Sequence, residues 1–339
     1  MTARTSFSRR SLLAAASALP MAALISRRGE AAEFEYKLAT GQDPTHPVNT
    51  RAQQAIDRIR EATGGRVAFR LFPANQLGSD TDLLAQVRSG GVEMFNLSTS
   101  ILATLVPVAG IVNTGFAFTS YDKVWQAMDG GLGAHIRQQV AKSGLIVPGK
   151  FWDNGFRQIT SSTRQIRTPE DLKGFKIRVP PAPMLTSVFK TLGAGATPIN
   201  FNELYSALQT QVVEGQENPL AIFASAKLYE VQKYVSMTGH VWDGYMMLAN
   251  RRAWQALPAD AQAIVSRELD RSAADERADI AVLSQSLRDD LVKKAITFLD
   301  VDRELFRAAL AKTSFYADWK KTYGAEAWGL MEATTGRLG

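Results

Sequence analysis

The chain contains no cysteine and only three histidines, His46, His135 and His240. Without cysteine no disulfide staples the fold; that suits an exported protein but fixes no compartment by itself. The three histidines lack metal-ligand spacing, so His46 reads as a loop residue, and no metal or other cofactor is expected. Net charge is also scarce once the first residues are set aside. Of the formal +6, the arginines at 4, 9, 10, 27 and 28 against Glu30 carry +4, which leaves about +2 for the rest. No basic stripe interleaved with aromatics remains, so a nucleic-acid partner has little support and none is expected. The run Gly130-Gly131-Leu132-Gly133 has no Lys-Ser/Thr pair behind it, so it reads as a turn and not a phosphate loop. From Ala259 to Ala295 there is neither proline nor glycine.

What the chain does have is length and apolar content. At 339 residues and 45% hydrophobic it can bury a large core and is expected to form two lobes. Its first 31 residues read as an address. Ser8-Arg9-Arg10-Ser11-Leu12-Leu13 is similar to a twin-arginine export signal, and the Ala/Leu-rich stretch behind it is short and small-sided for a membrane span. Leu12 and Ala14 replace the usual Phe and the frequent Lys, which leaves ordinary Sec export open. Gly29 and Ala31 suit cleavage after Ala31; an uncleaved membrane anchor is the competing reading.

The following chain alternates strand and helix. A strand at Glu35 to Ala39, a helix carrying Ala52, Ala55, Ile56 and Ile59 on one face, and a strand at Val67 to Leu71 make a βαβ unit, the seed of a parallel sheet. Ligands lie beyond the carboxyl ends of such strands, which brings the Thr40 to His46 loop near a site. Ser79 with Asp82 makes a capping-box-like start for the helix Asp80 to Arg88. Ser98, Thr99 and Ser100 stand at the carboxyl end of the strand Met94 to Leu97, either as ligand donors or as a helix cap. Ala259 to Ala295 keeps a helical stripe through Val265, Leu269, Ala273, Ile280 and Leu291, long enough to span both lobes. Its spacing is not a sustained heptad, which favours a monomer over a coiled-coil dimer. The tail from Arg303 to Thr334 reads as short helices on the second lobe.

The densest block runs from Trp152 to Pro219. In KIRVP, Ile177 and Val179 face one side and Arg178 the other, with Pro180-Pro181 ending the ladder. A rigid guanidinium fork is thus held at a strand end, suited to a carboxylate. FRQITSS places Arg157 on a second strand, and Asn218 stands before Pro219 with both donor and acceptor atoms. Trp152, Trp242 and Tyr245 are wall or core. Glu214 and Glu217 raise a paired-carboxylate hydrolase, but no nucleophile or metal set accompanies them.

PANQLGSDTDLLAQVRSGGVEM, TPEDLKGFKIRVP and ELYSALQTQVVEGQENP, in that order, make the chain resemble the solute-binding proteins of tripartite ATP-independent periplasmic (TRAP) transporters, DctP type. The resemblance runs from about Tyr36 to Leu257. It implies an α/β, two-lobed periplasmic-binding-protein-like fold with a hinge, a ligand cleft between the lobes and a long connecting helix. It also implies a periplasmic, non-enzymatic protein that captures a small organic acid and passes it to the TRAP permease subunits in the membrane. Residues 32–155 plus about 244–283 would form lobe I, and 156–243 plus about 284–339 lobe II. By the same resemblance Arg178 takes the ligand carboxylate, Arg157 adds a donor and Asn218 touches the ligand; Ser98, Trp152 and Trp242 complete the expected site. Thr114-Gly115 departs from the family, which usually has Leu-Pro there. A binding protein of another import system and an exported hydrolase remain the alternatives, and the acid itself is open among dicarboxylates, sugar acids, aromatic acids and keto acids.

Overall fold

The computed structural model describes residues 32–338; the expected export signal and the expected cleavage after Ala31 lie outside them. The chain opens on the expected βαβ unit, Phe34–Thr40, Pro47–Ala62 and Val67–Phe72, with the two strands parallel from Phe34 against Val67 to Ala39 against Phe72. The helix starts at Pro47, where the missing N–H costs nothing. His46 caps it, its Nδ1 accepting the Val48 N–H at 3.3 Å. Val48, Ala52, Ala55, Ile56 and Ile59 recur at helical spacing and are buried.

Among the described residues two six-stranded sheets form. In the first, Val67–Phe72, Phe34–Thr40, Met94–Ser98 and Trp242–Asn250 lie side by side, and Trp242–Asn250 also pairs with Leu145–Ile146 and Trp152–Phe156. The second runs Thr297–Asp300, Tyr234–Met237, Gln158–Ser161, Gly215–Asn218, Lys176–Val179, Gly195–Pro198. The chain is α/β and two-lobed, each sheet flanked by helices.

Among the described residues two crossings and one helix join the two sheets. Arg157 alone separates Trp152–Phe156 in the first sheet from Gln158–Ser161 in the second, and residues 238–241 make the return. The crossings are bonded to each other, Arg157 N–H to the Val241 carbonyl at 2.9 Å. The third link is the helix Ala259–Lys293, 35 residues and about 50 Å long. Its first half lays Ala261, Val265, Leu269 and Ala273 against the helix Pro47–Ala62. Leu291 at the far end enters the core of Leu204, Leu208, Phe223 and Val235 on the other side. Arg51 to Asp279 (2.7 Å) and Arg58 to Glu268 (2.8 Å) pin the same helix pair. At partly exposed positions such ion pairs add at most about 1 kcal/mol each, so the apolar stripe holds the helices together.

Two local expectations are corrected. Gly130–Gly133 is not a free turn: a helix, Gly131–Lys142, begins inside it. Glycine is needed there because a β-carbon on Gly133 would run into the Met128 carbonyl ending the previous helix. The tail divides its packing. Arg303–Ala311 touches Pro169–Leu172, but Phe315–Tyr323 and Ala325–Thr335 lie on Pro107–Asn113, Tyr121–Met128 and Gly131–Lys142. Ala327, Trp328 and Met331 bury themselves with Ala127, Leu132 and Ile136, an apolar face that would otherwise meet water. Asn200 precedes the helix Phe201–Gln209, and its amide donates to Thr81 of the opposite lobe at 3.2 Å.

Candidate functional site

The carboxyl ends of both sheets face a small polar cavity between the lobes. Gln42, Asp80, Asn96, Ser98, Asn154 and Tyr245 line it from the first lobe, and Arg178, Pro180, Phe201, Asn218 and Ile222 from the second, with Arg157 at the crossing. The remaining space is about 30 Å³, room for roughly two waters. The walls therefore stand nearly closed.

Arg178 is 1% exposed. The strand Lys176–Val179 aims it inward, and its Nε–H donates to the Ile199 carbonyl at 2.8 Å. Among the described residues its two terminal nitrogens have no hydrogen-bond partner. Burial, added to by the nearby Arg157 charge, pushes its pKa down to about 10 in spite of Glu217 and Asp80. It stays charged at neutral pH, with a free fork facing the cavity.

Arg157 is in the opposite condition. Its Nε and Nη2 grip Glu217 at 2.5 and 2.8 Å, Nη1 reaches Asp243 at 3.0 Å, and Nη2 also meets the Asn218 side-chain oxygen at 2.9 Å. Of five N–H groups only one, on Nη1, is left for anything else. Burial would raise the Glu217 carboxyl, but Arg157 with a His240 hydrogen bond outweighs it and holds the pKa below the usual range. His240 gives its Nε2–H to Glu217 (3.0 Å) and pairs Nδ1 with the Thr238 hydroxyl (2.8 Å). Burial lowers its pKa, so this neutral tautomer persists. Asp243 also accepts from Ser98, Thr99, Asn113 and Asn154. The result is a closed ionic knot at the crossing.

Of the residues expected from sequence, Arg178, Arg157, Asn218 and Ser98 come together at the cavity. Ser98 does so as both cap and Asp243 donor: its hydroxyl accepts the Ser100 N–H (3.1 Å) and donates to Asp243 (2.7 Å). Trp152 and Trp242 do not line it. Trp152 is packed in the first-lobe core beside Tyr245 and Val265. Trp242 lies edge-on to Trp125 and gives its indole N–H to Asp153 at 2.8 Å. Tyr245 takes the cavity-facing position of that strand. Gln42, Asp80, Asn96 and Asn154 are site residues that the sequence did not single out. Asn154 is the extra residue of a bulge, since Asp243 faces Gly155 and Gly244 faces Asp153; bulges of this kind re-aim a side chain.

Asp153, beside Asn154, carries a testable pH signature. Burial, outweighing the Trp242 hydrogen bond, pushes its carboxyl up to about 7, and buried Glu276 is raised well above its usual range for the same first cause. A carboxyl whose folded pKa lies above the unfolded ~3.9 holds an extra proton when folded. Its stabilisation is full below about pH 4 and is lost as pH climbs through about 7. Asp153→Asn therefore gains on the wild type between pH 5 and 7, by about 2 kcal/mol in urea unfolding. Parallel pH profiles for the two proteins would show that the carboxyl is already ionised in the fold.

Residues 38–321 match the family described as bacterial extracellular solute-binding protein, family 7 (DctP). An uncharacterized protein of Sinorhizobium fredii is 36% identical over 91% of the chain, which spans 58% of that longer relative. Among solved structures, the sugar acid binding protein DctPAm of Advenella mimigardefordensis, in complex with galactonate, superposes with a TM-score of 0.86 at 28% identity, covering 90% of this chain and 99% of that one. A TRAP periplasmic solute binding protein of Sulfurospirillum deleyianum with bound succinate gives 0.84 at 27% identity, covering 90% and 99%.

Proposed function

Because the chain belongs to family 7 of the bacterial extracellular solute-binding proteins, we propose that it captures a small organic acid outside the cytoplasm and delivers it to a TRAP-type membrane permease. The observation that carries this reading is the free end of Arg178: a buried, charged, planar fork facing a cavity between two lobes. A carboxylate there completes charge-assisted hydrogen bonds, each worth about 1.5–3 kcal/mol. Galactonate and succinate, held by two structural relatives, share only that chemistry.

Binding and closure are coupled on this reading. Arg178 belongs to the second lobe and Asn96, Asn154 and Asp80 to the first, so only the closed form surrounds the guest. The hinge lies at Arg157 and residues 238–241. The first lobe takes residues 32–155 and about 244–283; the second takes 156–243, and the segment from about 284 to 339 is shared, because its last two helices pack on first-lobe helices. Export follows the twin-arginine-like signal at Arg9 and Arg10. Catalysis has less support: the Glu217 carboxyl is held ionised by Arg157 and His240, whereas a general acid needs a raised pKa.

A thermal-shift screen over organic acids tests the reading. A ligand at ~100 times its dissociation constant adds about 2.7 kcal/mol, which raises the midpoint by roughly 5 °C in a chain of this size. If neutral sugars or amines shift the protein and no carboxylate does, the assignment is wrong.

A further inference from the structure

Resting on that reading, we propose that the guest is a hydroxylated monocarboxylic acid, a short chain with one anionic end and several hydroxyls, and that Asp80 is the residue that excludes a second carboxylate. The count of free cationic donors comes first. Two guanidinium groups reach the cavity, but Arg157 has spent four of its five N–H groups on Glu217, Asn218 and Asp243. Arg178 alone offers both terminal nitrogens, and that fork matches one carboxylate. Around them lie three carboxyl groups, Glu217, Asp243 and Asp80, so among the described residues that line the cavity no cation is left for a second anion.

The opposite wall demands donors. Asp80 opens the helix Asp80–Ser89 and lines the cavity, with one oxygen accepting from the Asn75 amide at 2.9 Å. Asn154 gives its amide N–H to Asp243 at 3.0 Å, which fixes its oxygen as an acceptor, and that buried oxygen has no partner among the described residues. The Gln42 side-chain oxygen, the Tyr245 hydroxyl and both polar atoms of Asn96 are buried and unpartnered as well. Buried polar atoms left unpaired each cost about 1–3 kcal/mol. A hydroxyl both donates and accepts, so a row of hydroxyls satisfies this mixed wall. A second carboxylate only accepts: it would set lone pair against lone pair at Asn154 and again at the Asp80 oxygens, one of which already accepts from Asn75. An alkyl or aryl acid would leave every one of these atoms unmet.

Calorimetry on the purified protein with four-carbon probes decides the matter. Erythronate and threonate carry one carboxylate and three hydroxyls, succinate two carboxylates, butanoate one carboxylate and no hydroxyl; gluconate and galactonate extend the first series. At least one hydroxylated acid is expected to bind ~30-fold or more tightly than both succinate and butanoate. Asp80→Asn keeps the shape and the Arg178 fork; it is expected to weaken the hydroxylated acid about tenfold and to narrow its lead over succinate. Succinate binding more tightly than every hydroxylated acid, with Arg178→Ala abolishing it, overturns the proposal and leaves carboxylate capture standing. An unchanged ratio in a folded Asp80→Asn protein removes Asp80 from the role, and if that variant does not fold the wild-type series still decides the ligand class. No binding by any acid overturns both this proposal and the reading beneath it.

Discussion

Arg178→Ala lowers affinity for the organic acid at least ~100-fold, or about 2.7 kcal/mol, in calorimetry at pH 7. The size follows from where the guanidinium sits. It is 1% exposed, so a carboxylate beside it is shielded from water, and the attraction is stronger than at an open surface. The Nε–H bond to the Ile199 carbonyl at 2.8 Å orients the fork before the ligand arrives, so little side-chain freedom is lost on binding. Two parallel charge-assisted bonds vanish in the variant, and nothing replaces them, since Arg157 is committed to Glu217 and Asp243. Arg178→Lys keeps a charge without the fork and loses affinity as well, though less, because an ammonium is a point donor and does not reach the Ile199 carbonyl in the same geometry. Misfolding is separable from lost binding. Removing a buried cation that lacks a hydrogen-bonded counterion relieves a desolvation cost, so ligand-free Arg178→Ala should unfold within about 1 kcal/mol of the wild type. Affinity unchanged within threefold would mean that the carboxylate docks elsewhere.

The sequence discloses Arg178 because the information is local. KIRV alternates, Pro180-Pro181 stop the strand, and the fork must then project to one side of a strand end. The βαβ start at Phe34, the Ser79 capping box and the stripe of the long helix are legible for the same reason: each is fixed by residues within a few positions. Arg157 shows where that reach ends. Its place beside a strand is visible, but the acceptors that engage it stand 60 and 86 residues away in sequence, so a residue that looked like a wholly free donor has four of its five N–H groups taken up at the crossing. Asn154 faces the cavity only because Trp242–Asn250 pairs with its strand through a bulge, a register no local pattern announces. Asp80 reads as a helix start and is one; its second role depends on the opposite lobe. The tryptophans misled for a physical reason. Large aromatic rings beside a crossing suit a pocket wall or a core equally, and packing against Val265 and Trp125 settled both for the core.

Arg157→Leu is expected to lower the free energy of unfolding by about 3–5 kcal/mol at pH 7, the range for removing one partner of a buried ion pair. The loss is not shared evenly. Asp243 keeps donors from Ser98, Thr99, Asn113 and Asn154, whereas Glu217, 0% exposed, keeps only the His240 ring among side-chain donors of the described residues. Most of the penalty therefore falls on Glu217, and the pH profile exposes it. In the wild type the folded pKa of Glu217 is depressed, so its stabilisation is present above the unfolded value of ~4.3 and is lost as pH falls through the folded one. In Arg157→Leu burial acts unopposed by that cation, the folded pKa rises above the unfolded value, and the carboxyl takes up a proton on folding. The gap between the two proteins in urea unfolding should then be widest near neutrality and shrink towards pH 4. Adding Glu217→Gln to Arg157→Leu should recover part of the loss, because the amide leaves no uncompensated charge, and the double-mutant cycle should show coupling above 1 kcal/mol. A pH-independent gap below about 1 kcal/mol would mean that water reaches the crossing and that the knot does not hold the two lobes in register.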